Sequence, residues 1–234
     1  MQGRLPQPSV IEFEDVLVIV GGGTVDADLL RELYASGARL VGADGGADLI
    51  AAAGLKPEAI IGDLDSLANP LGWLGRTRMM HITEQETTDF EKALYSTRAP
   101  VTVAVGVTGR RLDHTLAALD AASRYAARRH IVFVDEHDLA LALTERFSFT
   151  VAPGERVSLH PLAPVTFWRS EGLEYPLDAV TLSPGIRTGS SNVAIDGTFT
   201  LIPEEGIHAP FLLILHRRHL ASLVAQLLIN PAGR

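Results

Sequence analysis

The chain has 234 residues, enough for one or two domains with a large core. Apolar residues make up 47% and charged residues 21%, and the net charge of −8 argues against a duplex nucleic-acid surface, which needs clustered Lys and Arg. The absence of cysteine excludes a disulfide framework, a zinc–thiolate site and a thiol nucleophile, and no apolar run approaches the ~20 residues of a membrane helix. The expectation is a soluble cytoplasmic protein with no nucleic-acid or membrane partner. An anionic substrate stays open, because a metal can supply positive charge locally.

Residues 1–9 are polar and Pro-rich, lack the apolar core of a signal peptide and read as a loose end. Residues 16–20 form a continuous apolar run, the pattern of a strand buried on both faces. Gly21-Gly22-Gly23 ends it, read either as a tight turn or as a weak phosphate-loop signal. Leu29, Leu30 and Leu33 give residues 26–34 helical spacing, Gly37 stops the helix and residues 39–41 form the next strand. Strand–helix–strand alternation predicts a parallel sheet with crossover helices.

The centre of this half is Gly42-Ala43-Asp44-Gly45-Gly46 together with Ile60-Ile61-Gly62-Asp63-Leu64-Asp65-Ser66. Asp44 stands where one apolar run stops, and residues 47–53 read as a helix. Residues 59–61 form a second run that delivers Asp63 and Asp65, whose side chains point the same way in extended backbone while Leu64 packs behind them. Close carboxylates repel unless a cation sits among them, and Mg²⁺, which favours oxygen ligands, is the natural candidate.

Residues 81–82 suggest a short strand, and a helix follows to about Ser96. Thr88 and Glu91 fit a capping box with Thr88 as N-cap. Asp89 then has two readings, an acid suited to the helix dipole or a member of the acidic set at the strand ends. Residues 101–105 form another buried strand. The stretch from Gly106 to His114 joins it to a helix reaching about Arg128. Its glycines, Arg110 and Arg111 suit an anion, or equally a solvated turn; Asp113 and His114 suit such a site or simple helix capping. Residues 131–134 close the α/β part.

Near Glu136 the pattern changes. Residues 147–151 alternate, and 156–160, 165–168, 192–195, 198–202 and 211–216 are further short strand candidates separated by Gly and Pro. This predicts an antiparallel sandwich or barrel, and residues 218–229 add a C-terminal helix through Leu220, Leu223, Leu227 and Leu228. Two domains are expected, 10–136 and 137–234.

Asp44-Gly45-Gly46-Ala47, Gly62-Asp63-Leu64-Asp65-Ser66, Thr88-Asp89-Phe90-Glu91-Lys92-Ala93-Leu94 and Gly106-Val107-Thr108-Gly109 through Arg111-Leu112-Asp113-His114 resemble the ordered motifs of thiamine pyrophosphokinases. Val157-Ser158-Leu159 with Pro161-Leu162, Gly172-Leu173-Glu174-Tyr175-Pro176-Leu177 and Gly189-Ser190-Ser191-Asn192 resemble that family's later landmarks. The resemblance implies a Rossmann-like α/β domain followed by a β-sandwich domain, a homodimer, and Mg²⁺-dependent transfer of a pyrophosphoryl group from ATP to thiamine, giving thiamine diphosphate and AMP. It implies Asp63, Asp65 and Asp89 as catalytic metal ligands with Asp44 beside them, and Asp44, Gly45, Gly46, Thr108, Gly109, Arg111, Asp113 and His114 on the nucleotide side. Gln85, Ser191 and Asn192 would face thiamine, the last two from the other subunit. Gln85-Glu86-Thr87 departs from the Lys-Asp pair of many bacterial members, and Arg110 stands where a Gly is common. Three other readings are a pyrophosphokinase for another hydroxymethyl substrate such as a pterin, a nucleotide phosphohydrolase, and a non-catalytic sensor.

Overall fold

The structure is a computed structural model that describes residues 10–206 and 208–230. Residues 1–9, read above as a loose end, lie outside the described residues. The chain divides into two compact units between His114 and Thr115. The architecture is mixed α/β with large sheets, and no described helix is long and apolar enough to cross a membrane.

The first unit runs β1 (Ile11–Glu12), β2 (Leu17–Val20), α1 (Ala27–Ala35), β3 (Arg39–Ala43), α2 (Gly46–Ala52), β4 (Ala59–Gly62), a 3₁₀ turn (Pro70–Trp73), β5 (Arg78–His81), α3 (Asp89–Tyr95), β6 (Thr97–Arg98) and β7 (Val101–Val105). A parallel sheet forms in the order β5–β4–β3–β2–β7. Every residue of β2, β4 and β7 is buried, which is why these strands read as unbroken apolar runs. Burying each Val, Leu or Ile contributes about 1.5–3 kcal/mol, so the sheet has a large margin against mutual repulsion of acids at its edge. Asp26 caps α1, accepting from the amides of Asp28 and Leu29 at 3.0 and 3.3 Å. Thr88 caps α3, accepting from the Glu91 amide at 3.4 Å, as its spacing predicted.

This strand order places the reversal of chain direction across the sheet between β2 and β7. Ligands of open α/β sheets bind beyond the carboxyl ends of the strands at such a point. Here the loops touch backbone to backbone. The Gly21 amide donates to Val105 O at 2.8 Å and the Gly23 amide to Gly106 O at 2.7 Å. A Cβ on Gly46 would stand 1.8 Å from Val20 O, so only glycine lets α2 start this close to β2. A Cβ on Gly21 or Gly23 would stand 2.6 or 2.5 Å from Gly106 O, so close packing of loops accounts for these two glycines, while a Cβ on Gly22 would meet nothing within 4 Å.

α4 (Leu112–Tyr125) follows, and ends earlier than the expected Arg128. The second unit contains β8 (His130–Val134), β9 (Asp138–Leu143), β10 (Phe147–Thr150), β11 (Arg156–Pro161), β12 (Val165–Glu171), β13 (Val180–Leu182), β14 (Gly189–Val193), β15 (Thr198–Pro203), β16 (Phe211–His216), a 3₁₀ turn (Arg217–His219) and α5 (Leu220–Ile229). One antiparallel set runs β8–β9–β16–β11–β14, another β10–β15–β12–β13. Phe167 of β12 meets Phe211 of β16 edge to face at 5.2 Å, both fully buried, so the two sets share a core.

β9 and β13 were not expected. The Asp-Leu-Ala-Leu-Ala-Leu of β9 lacks the β-branched residues that mark a strand, and β13 is only Val-Thr-Leu. β14 lies at 189–193 instead of 192–195, pinned by pairing of Asn192 with Val157 and Gly189 with Leu159. α5 buries Leu220, Leu223 and Leu227, and Gln226 Nε2 donates to Ser148 O at 2.8 Å. Its approach is latched by Glu155: Arg218 Nη2 lies 2.6 Å from one carboxylate oxygen and His219 Nε2 2.5 Å from the other.

Candidate active site

Parallel strands carry their carboxyl ends to one edge, and this edge collects the acids. Asp44 follows β3 with φ of +47°, and Leu64 has φ of +67°. Both lie in a region sparsely used by non-glycine residues, and strain of this kind gathers at functional sites. The turn at Asp44 is fixed by its amide, which donates to Ile61 O at 2.9 Å, and by its carbonyl, which accepts from the Ala47 amide at 3.0 Å. Leu64 packs on the buried cluster of Ala47, Ile60 and Leu67, as expected. That anchor leaves its neighbours Asp63 and Asp65 turned away from the core.

Oxygens of Asp44, Asp63 and Asp65 lie within 4.8 Å of one another. Asp44 is only 3% exposed. Its Oδ2 accepts from the Ser66 amide at 3.1 Å, while Oδ1 is buried with no hydrogen-bond partner among the described residues. Burial, with the nearby charges of Asp89 and Asp63, pushes the Asp44 carboxyl above its ordinary value despite the Ser66 bond. An unpaired buried carboxylate oxygen is costly. Asp44 Oδ1 is one of three buried side-chain atoms without a hydrogen-bond partner among the described residues, with Thr77 Oγ1 and Ser96 Oγ, and the one that belongs to a converging set of carboxylates, which marks a place for a ligand.

Asp63 is set differently. Gln85 Nε2 donates to Asp63 Oδ2 at 2.9 Å, and this bond, with the Asp65 amide and Lys92, holds the carboxyl below its ordinary value. Asp65 is exposed and accepts from Ser66 Oγ at 2.9 Å. Asp89 enters from the first turn of α3. A Cβ on Gly62 would stand 2.9 Å from Asp44 Cβ and 3.0 Å from Asp89 Oδ1, so Gly62 lets the acids close up. Lys92 was quoted in its motif but assigned no role. Its side chain is 2% exposed, with Nζ 3.1 Å from Asp89 Oδ1 and 3.8 Å from Asp63 Oδ2. The i,i+3 spacing of Asp89 and Lys92 was the available signal.

The loop carrying Gln85 is tied to Glu84. The Glu84 carboxylate accepts from the amides of Glu86 and Thr87 at 2.7 and 3.0 Å, from Tyr95 Oη at 3.0 Å and from Thr87 Oγ1. Burial raises the Glu84 carboxyl, but these donors outweigh it and bring the group below its ordinary value.

Gly45 and Gly46 open α2 beside Ser66 and Val20. Thr108 and Gly109, the latter with φ of +94°, lie in the loop after β7. A Cβ on Gly23 would stand 3.1 Å from Thr108 O, so this loop abuts the glycine triplet. Arg110 Nη1 donates to Gly22 O at 3.4 Å. Arg111 forms a bidentate pair with Asp113 at 3.2 and 2.6 Å, and His114 is exposed beside it. Loops bearing Asp44, Gly45, Gly46, Thr108 and Arg111 thus lie along one edge of one sheet.

Ser191 and Asn192 lie on β14 in the second unit. Ser191 is exposed with φ of +60°, its amide donating to Ser158 Oγ at 2.9 Å. Asn192 is 3% exposed and its amide group is engaged. Its Oδ1 accepts from the amides of Tyr175 and Val193 at 3.0 and 2.8 Å, and Nδ2 donates to Tyr175 O at 2.7 Å. It clamps the 172–177 segment, leaving Tyr175 60% exposed.

Carboxylates gathered beyond the ends of a parallel sheet, one with an oxygen unpartnered among the described residues, stand where α/β enzymes bind their ligands. Residues 30–134 match the family model of the thiamin pyrophosphokinase catalytic domain, the family whose motifs the sequence resembles. A thiamin pyrophosphokinase from Geobacillus thermodenitrificans is 26% identical, with 86% of this chain and 97% of that chain covered and a TM-score of 0.72. The yeast thiamin pyrophosphokinase shares the fold at 16% identity and a TM-score of 0.70, covering 98% of this chain and 97% of its own. The Candida albicans enzyme does so at 15% identity and a TM-score of 0.71, covering 92% and 95%. No curated protein matches the chain in sequence.

Proposed function

We propose that the chain transfers the pyrophosphoryl group of ATP to the hydroxyl of thiamine, giving thiamine diphosphate and AMP, with Mg²⁺ held by Asp44, Asp63, Asp65 and Asp89. One observation carries this reading: three carboxylates converge within 4.8 Å around a buried, unpartnered oxygen, inside a segment that matches the thiamin pyrophosphokinase catalytic domain. The donor set suits a hard cation. Asp44, Asp63 and Asp65 would hold it, since each offers a carboxylate oxygen and these lie within 4.8 Å of one another. When bound, the cation neutralises phosphate charge and orients the transferred group.

The chain's own residues do the positioning, which is most of what displacement at phosphorus asks of a protein. Gln85 and the Asp65 amide orient Asp63 before substrate arrives. Gly45, Gly46, Thr108, Gly109, Arg111, Asp113 and His114 form the nucleotide side, where Arg111 exchanges part of its bond to Asp113 for phosphate oxygens. Gln85 and Ser191 face thiamine, and Asn192 supports them through the backbone of Tyr175. Residues 137–234 are read as a β-sandwich domain after an α/β domain of 10–136. The catalytic-domain match ending at residue 134 supports that limit, which lies beyond the division of the compact units at His114. Ser191 comes from the partner in a cytoplasmic homodimer.

AMP formation from ATP and Mg²⁺, with and without thiamine, tests the reading. AMP that appears only with thiamine supports it. Phosphate release without an acceptor replaces it with a hydrolase, and AMP formed with a hydroxymethyl pterin changes the substrate. Mixing Ser191→Ala and Asp65→Asn chains into verified heterodimers tests the shared site, and recovery of activity is expected.

A further inference from the structure

Lys92 is among the largest fully buried side chains of the described residues, yet it ends in a charge. An apolar side chain of similar volume would fill the same buried space without the cost of taking a cation out of water. Packing alone gives no reason for a lysine. The acids give one. Asp63 leaves β4 and Asp89 begins α3, two elements with no covalent reason to bring their carboxylates together. Lys92 Nζ lies 3.8 Å from the first and 3.1 Å from the second, so it stands where their repulsion would be greatest. The oxygens that converge within 4.8 Å belong to Asp44, Asp63 and Asp65, and Asp89 is outside that set.

We propose that Lys92 is a positioning residue that takes the place of a second cation between Asp63 and Asp89, so that the protein by itself seats one divalent cation, on Asp44, Asp63 and Asp65. This rests on the divalent-cation reading given above. In the free protein Lys92 holds Asp89 beside the site, and Asp89 joins the ligand set only once the nucleotide is bound. Further ions arrive only with the nucleotide, which brings its own oxygens.

The test counts ions without measuring turnover. Mn²⁺ alone is titrated into the full chain without nucleotide, and free Mn²⁺ is read by electron paramagnetic resonance. Wild type and Lys92→Arg are expected to bind one ion per chain, and Lys92→Met two, as the freed Asp63–Asp89 pair accepts a second. A Lys92→Met count equal to that of wild type assigns the lysine to packing and overturns the proposal. Two ions on wild type overturn it as well, and that measurement stands even where Lys92→Met does not fold. Mn²⁺ binding by none of these proteins overturns both this inference and the cation reading. A correct ion count with no AMP formation overturns only the substrate assignment.

Discussion

Two carboxylate clusters, one in each unit, show what separates a site from a strut. Glu155 in the second unit is mostly buried, and both its oxygens have donors: Arg218 and the Ala152 amide on one, His219 on the other. Burial would raise its carboxyl, but these partners carry it down to about 2. Asp44 in the first unit is more deeply buried and has one oxygen with no partner among the described residues. Its carboxyl is raised. The first cluster is closed, with charge and donors matched, and contributes stability. The second is open, with acids in excess of Lys92, and the fold holds it at a cost that a ligand relieves.

The largest effects should come from emptying the open cluster. Asp63→Asn or Asp65→Asn should lower AMP formation by about 10²–10³-fold or more, the scale seen when one group stabilising the transition state is lost. Neither variant should melt earlier than wild type without Mg²⁺. Retained turnover together with the full Mg²⁺–nucleotide melting shift would falsify the cluster's role.

Next in size is the closed cluster. Glu155→Gln should destabilise the protein by about 1.5–3 kcal/mol, the range for hydrogen bonds to a charged group, read by urea denaturation. Turnover should be nearly unchanged. A neutral Glu155→Gln would mean that the latch on α5 contributes nothing. The same residue gives a pH signature. Its folded value of about 2 lies below its ordinary 4.5, so its contribution is complete above about 4.5 and is lost as pH falls toward 2. Wild type should lose more stability than Glu155→Gln across that window, and parallel curves would count against the assignment.

Asp44→Asn should act in the opposite sense and more weakly. Asn tolerates the positive φ and removes a buried charge, so the variant should melt no earlier than wild type, and up to a few degrees later, without cation. Its Mg²⁺–nucleotide shift should shrink, and a shift of full size would remove Asp44 from the ligand set. Arg111→Ala should have the smallest stability effect, read by denaturation, because its pair with Asp113 is exposed. A several-fold rise in the KM for ATP is expected, and an unchanged KM would take Arg111 off the nucleotide side.

Elements with a strong local signal were legible in the sequence. β2 and β7 read as strands because each is buried on both faces, and α3 because Thr88 caps it. β9, with its alternation of Leu and Ala, gave no such signal, and β14 moved because its register is set by pairing with β11. In the same way Asp44, Asp63 and Asp65 were visible as acids at strand ends. Lys92 was not, because nothing local says that a lysine one turn into a helix has a buried amine facing acids from two elements.

The sequence by itself determined which segments are apolar enough to be strands, where helices can begin, and which acids end the runs at Asp44 and Asp63. Those properties depend on neighbours within a few residues, through side-chain period, capping and turn chemistry. Tertiary structure decided the rest. It left Asp44 Oδ1 without a partner among the described residues, placed Lys92 between Asp63 and Asp89, and engaged Asn192 with the backbone of Tyr175. Desolvation and pairing of a polar group depend on atoms brought close by the sheet, from residues as much as 22 positions away for Asp44 and Ser66, and no local pattern records them.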